Sequence, residues 1–227
     1  MIPWVLWLLV ATPSVDRLEA FGDWALLLHQ GTDLEVVDTL GRTLWWQRVP
    51  DLVDVEGGPL AFYLLRSDRL EVHGADGTRV GEVPVEARAC AVVADGTVFL
   101  LSPEGTEILQ LKGQQTEPVM SLPRPAVRLD GAGLALAVRF PDSLWLMSPE
   151  GEVWWRGSAR VAKAFAQGQH TLWILRGDTL YLPSGPALPR VTHFDLAPTP
   201  DLRLWWMDRR GTLRTLRAAG FPEPGRP

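Results

Sequence analysis

Apolar residues fall in short runs, some alternating with polar residues and some continuous, and each run is cut by residues that turn the chain. Leu134 to Trp155, LALAVRFPDSLWLMSPEGEVWW, shows this most plainly. LALAVRF is broken by Pro141-Asp142, SLWLM is broken by Ser148-Pro149-Glu150-Gly151, and EVWW follows. Alternation at a period of two between turn residues predicts short antiparallel strands in a meander. The pattern repeats along the chain. Six units can be laid out, each with strands a, b, c and d in order. Their inner strands a are SVDRLEAFG (14–22), DLVDVEGG (51–58), a compressed VPVEARACAVVA before Asp95, AVRLDGAG (126–133), RVAKAFAQG (160–168) and RVTHFDLAP (190–198).

The register rests on glycines placed between strands c and d at 41, 77, 105, 151 and 185, with uneven intervals of 36, 28, 46 and 34 residues. The tetrapeptide SPEG occurs twice, at 102–105 and 148–151, and supports the alignment. The longest interval contains KGQQTEPVMSLPRP (112–125), a polar, proline-rich stretch expected to be a loop on one face. Units of four short strands predict an all-β, six-bladed propeller, with a seven-bladed ring and then an irregular sandwich as alternatives. The expected organisation is one domain over residues 1–220, with a loosely attached Pro/Gly-rich tail at 221–227.

VVDTLGRTLWW and WLMSPEGEVWWRG resemble the strand–turn–Gly–strand–Trp pattern of the pyrroloquinoline-quinone-type propeller repeat, and the same pattern fits WD40-like repeats. The resemblance implies a propeller. No residue here matches the cofactor site of the long enzymes built from that repeat, so it implies no cofactor.

The N-terminal MIPWVLWLLVA is too short to span a membrane and has no Lys or Arg before its apolar core. It aligns with a strand d, which the sixth unit otherwise lacks. Trp4 to Ala11 is therefore expected to pair with the strand near 212–217 and close the ring. Localisation is then cytoplasmic; export is the alternative, should residues 1–14 be a signal peptide.

Composition narrows the function. A net charge of −5 and a pI of about 5.4 do not suit a nucleic-acid binder. The single cysteine, Cys90, rules out an internal disulfide and a Cys-based zinc site. Asparagine is absent and only Lys112 and Lys163 are lysines, a composition of the heat-adapted kind. No GxSxG, HExxH or Gly-rich phosphate loop is present.

Two acidic sets remain. Asp33, Asp68, Asp95, Asp142, Asp178 and Asp208 fall in the b–c turns of the alignment, where aspartate ordinarily bonds its own backbone. Glu19, Asp54, Asp130 and Asp195 fall on inner strands, with Glu86 or Glu82 as the equivalent in unit three. These four are the candidate channel residues, for a cation such as calcium or for a cationic ligand. His193 is read as a channel-wall histidine. The tryptophan pairs 45–46, 154–155 and 205–206 should each set one ring between blades. The function read from this is a non-enzymatic scaffold that binds a protein or peptide on one face. The alternative is a metal-dependent hydrolase of the lactonase type with its cation in the channel.

Overall fold

The computed structural model describes residues 15–183, 187–197 and 203–217. The expected N-terminal closing strand, Gly185 and residues 221–227 lie outside them. Every element described is a β-strand, so no helix among the described residues is long and apolar enough to cross a membrane.

The strands form six sheets, each built from consecutive strands paired antiparallel. Blade 1 is β1 (Val15–Phe21), β2 (Trp24–His29), β3 (Asp33–Val37) and β4 (Thr43–Arg48). Blade 2 is β5 (Leu52–Gly57), β6 (Phe62–Arg66), β7 (Arg69–His73) and β8 (Arg79–Pro84). Blade 3 is β9 (Ala89–Val92), β10 (Val98–Leu101), β11 (Glu107–Lys112) and β12 (Gln115–Ser121). Blade 4 is β13 (Arg128–Ala132), β14 (Ala135–Arg139), β15 (Ser143–Met147) and β16 (Val153–Ser158). Blade 5 is β17 (Val161–Ala166), β18 (Leu172–Arg176), β19 (Thr179–Tyr181) and β20 (Leu188–Pro189). Blade 6 contributes β21 (Val191–Ala197), β22 (Arg203–Asp208) and β23 (Leu213–Arg217). The molecule is a six-bladed β-propeller.

Each sheet has two faces, and alternation sends successive side chains to opposite ones. Neighbouring blades therefore share a core. Six apolar clusters fill the six interfaces. Phe21, Leu34, Phe62 and Leu64 join blades 1 and 2, and Leu129, Val138, Phe99 and Leu101 join blades 3 and 4. The ring closes through the sixth cluster, in which Trp205, Met207 and Leu213 of blade 6 pack on Leu18, Ala25 and Leu27 of blade 1. The adjacent Trp206 packs the other way, against blade 5. Trp45 packs on Phe62 and His73 of blade 2, while Trp46 is exposed. Trp154 and Trp155 instead both pack against the blade 4–5 cluster.

Blade 3 corrects the register drawn from the glycines. It is not compressed: ACAV is its inner strand and TVFLL its second. Gly105 therefore lies in the b–c turn, not the c–d turn, and on the opposite face from Gly41, Gly77 and Gly151. The stretch 112–125 is not a loop insertion. It folds back at Gly113, whose φ is 63°, and Gln115–Ser121 becomes the outer strand β12. Gly41, Gly77, Gly113 and Gly151 then recur at intervals of 36, 36 and 38 residues. The same correction moves Asp95 into an a–b turn, away from the face of the other turn aspartates. It also leaves Glu82 on the outer strand β8 and Glu86 in the link before β9; the inner strand β9 carries no acid.

Candidate functional site

The innermost strand of each blade has one unpaired edge, which faces the channel. Its N–H groups need acceptors once they are buried. Carboxylates from the inner strands of other blades supply some of them. Asp195 of β21 accepts from Ala20 N of β1 at 2.7 Å, Asp54 of β5 accepts from Cys90 N of β9 at 2.9 Å, and Glu56 of β5 accepts from Gly131 N of β13 at 2.6 Å. The strands approach so closely that a Cβ at Gly57 would meet the carbonyl of Ala20, and one at Gly131 the carbonyl of Val92.

The structure places Glu19, Asp54, Asp130 and Asp195 together, all buried, at the centre of the ring. They are not the whole cluster. Arg17, itself buried, donates from Nε to Glu19, from one terminal nitrogen to Asp54, and from the other to Glu56 at 2.7 Å and Asp130 at 2.8 Å. Lys163 of β17 reaches Glu19 at 3.2 Å and Asp195 at 3.0 Å. Arg128 of β13 reaches Asp130 at 2.7 Å. The sequence reading omitted Arg17, Glu56, Lys163 and Arg128. The missed signal was a second polar residue two positions from each acid: Arg17-x-Glu19, Asp54-x-Glu56, Arg128-x-Asp130 and His193-x-Asp195. On a strand, positions i and i+2 share a face.

Five carboxylates meet three cations, so charge is unevenly held. Burial works against the charge of Arg17, but the surrounding carboxylates, Asp54 foremost, hold its pKa well above the ordinary value. Burial likewise opposes ionisation of Glu19 and Asp130, yet Arg17 and Lys163 keep Glu19 low, and Arg128 with Arg17 pushes Asp130 down to about 2. At Glu56 burial and the charge of Glu19 win, and the carboxyl is raised well above its usual range. Burial raises Asp54 as well. Burial, reinforced by Glu19, pushes Asp195 up to about 7 against the pull of Lys163. The cluster thus approaches neutrality by keeping protons on some of its acids.

Oxygens of Glu19, Glu56 and Asp130 lie within 4.8 Å of one another, a spacing that suits a cation. The guanidinium of Arg17 bonds all three of these carboxylates. A divalent ion at that point would have to displace it.

A cavity of about 190 Å³ opens beside the cluster. It is lined by residues that begin the inner strands, Asp16 and Arg17, Arg128, Lys163, and Thr192 with His193, and by Arg139, which ends β14. It therefore opens on the face of the b–c turns. His193 approaches the backbone oxygen of Asp16 with Nε2, at 3.1 Å, and burial lowers its pKa. The turn aspartates of this face are each matched with an arginine: Asp33 with Arg48, Asp68 with Arg69, Asp142 with Arg124, Asp178 with Arg209 and Asp208 with Arg214. They form no unneutralised acidic ring.

No family model and no curated protein matches the chain. Solved structures do. The WD40 domain of Neurospora crassa Pan2 superposes with a TM-score of 0.59 at 11% identity, covering 92% of this chain and 94% of that one. Virginiamycin B lyase from Staphylococcus aureus gives 0.56 at 11% identity, over 91% of this chain and 82% of the lyase. BBS1N, solved in complex with ARL6DN, gives 0.52 at 14% identity, over 85% of this chain and 74% of that one. At such identities the likeness is one of fold.

Proposed function

We propose that this chain is a non-enzymatic scaffold that binds a protein or peptide on one face. The observation that carries the reading is Arg17. Its guanidinium is bonded to four carboxylates at the heart of the ring, so the centre is spent on holding blades together. The face of the a–b turns offers the contact surface. Leu60 and Leu134 project from a–b turns, 79% and 46% exposed, and Leu40, from the c–d turn of blade 1, shares that face. Exposed leucines gathered on one face are what an apolar contact surface needs. One of the similar folds, BBS1N, was solved in complex with ARL6DN, which agrees with the reading but does not carry it.

A photo-crosslinking residue placed at 60 or 134 tests it in the source cell. The reading expects one discrete partner from both positions and none from position 48 on the opposite face. Equal labelling from all three positions, or none from any, would overturn it.

The second reading is the metal-dependent hydrolase, and the close approach of Glu19, Glu56 and Asp130 is what favours it. Arg17 weighs against it, because a calcium ion and a guanidinium compete for the same oxygens.

A further inference from the structure

Arg128 and Arg139 are direct partners across the β13–β14 ladder. Like charges facing each other in this way destabilise an antiparallel pair. Both side chains line the cavity at the channel mouth. Arg128 uses Nε on Asp130, and its terminal nitrogens have no hydrogen-bond partner among the described residues. Arg139 donates to the carbonyls of Val161 at 3.0 Å and Ala162 at 2.6 Å, which are neutral acceptors. One wall of the cavity thus holds two guanidinium groups: Arg128 is paired with Asp130 and has the charges of Asp54 and Glu19 nearby, whereas Arg139 has no carboxylate within ion-pair distance among the described residues.

That arrangement costs free energy when the cavity holds only water. An oxyanion between the two groups would turn their repulsion into charge-assisted hydrogen bonds, for which the planar fork of arginine is well shaped. Lys163, paired with Glu19 and Asp195, also lines the cavity. The acids of the lining are committed elsewhere: Glu19 to Arg17 and Lys163, Asp130 to Arg17 and Arg128, and Asp16 to the N–H of Gly31 at 2.7 Å. Asp16 belongs to blade 1, across the ring from blade 4, so it faces the far end of anything held by the arginines.

We propose that this cavity binds a compact small molecule bearing a carboxylate or phosphate group, held between Arg128 and Arg139. The proposal goes beyond the scaffold reading and stands apart from it, since partner docking is placed on the opposite face.

The test is thermal unfolding and calorimetry of the full chain with inorganic phosphate and with succinate, at ionic strength matched with sodium chloride. Neutral succinamide is the control. Mass action predicts a rise in melting temperature of about 3 °C or more with at least one anion at millimolar concentration. Phosphate alone or succinate alone raising it names the ligand class. The rise should vanish in the Arg128→Gln/Arg139→Gln variant. Should that variant not fold, Arg139→Lys keeps the charge but loses the fork, and succinate or phosphate should bind it about tenfold more weakly. No rise with either anion, an equal rise with succinamide, or an unchanged rise or affinity in the variants overturns the proposal.

Discussion

The hub of the ring and the interfaces between its blades are both buried, yet they are built from opposite chemistry. The interfaces are apolar, and each is a local affair of two sheets. At the ring closure Trp205 is fully buried against Leu18, Ala25 and Leu27. The hub joins blades 1, 2, 4, 5 and 6 through Arg17, Lys163 and their carboxylates. Apolar faces tolerate sliding as long as area stays buried. A fork of N–H donors aimed at four carboxylates does not, because a misplaced charge in the interior has no water to fall back on. The contrast suggests a division of labour: the interfaces supply most of the stability and the hub fixes how the blades are set around the axis.

Removing the centre of the hub should therefore cost most. Arg17→Met leaves Glu19, Asp54, Glu56 and Asp130 without their shared cation, and a loss of about 5 kcal/mol in chemical denaturation is expected, the upper end for breaking a buried ion pair. The deficit should shrink in acid, because protonation relieves the stranded carboxylates. A deficit that is small, or that does not change with pH, would move the weight of the account to the interfaces.

Trp205→Ala tests the other side of the comparison. It empties a fully buried site at the ring closure and should cost about 4 kcal/mol. Unlike the Arg17 deficit, this one should be flat with pH.

Asp195→Asn sharpens the hub's electrostatics. The raised pKa of Asp195 means that its proton-bound form adds stability below the ordinary carboxylate range, and that this stability is lost as pH rises through about 7. Asparagine cannot titrate. The stability of wild type relative to the variant should fall between about pH 4 and pH 7, by up to about 1.4 kcal/mol per pH unit. A difference that stays constant across that window would show that Asp195 is ionised throughout.

Trp46→Ser should do least. The side chain is 58% exposed on the outer strand β4, and a change within about 0.5 kcal/mol is expected. A larger loss would mean that the outer edge of blade 1 is covered in the working protein.

The strands and the blade number were legible because alternation and turn residues are local signals. The register of blade 3 was not, and SPEG shows why. Ser102 and Ser148 build the same turn: each hydroxyl accepts from backbone N–H groups that follow it, and Gly105 and Gly151 each donate back to the serine carbonyl. One turn joins strands b and c, the other joins c and d. Turn chemistry encodes the reversal and not its place in the blade. The acids of the candidate site were found through their shared offset on inner strands. Arg17 was passed over because one arginine among many surface arginines carries no mark of burial; apart from Glu19, its counter-charges come from residues 37 to 113 positions away in the chain. Only the ring brings them together.

The claim at the centre of this account is that Arg17 is the resident cation of the hub. Its most direct measurement is the melting temperature of the wild-type chain, stripped with chelator and then titrated with calcium to millimolar concentration. The account predicts that the temperature does not move, since the guanidinium already holds the oxygens of Glu19, Glu56 and Asp130. A saturable rise, by the mass action of an ion bound to the folded state, would contradict it and give the channel back to the metal-dependent hydrolase.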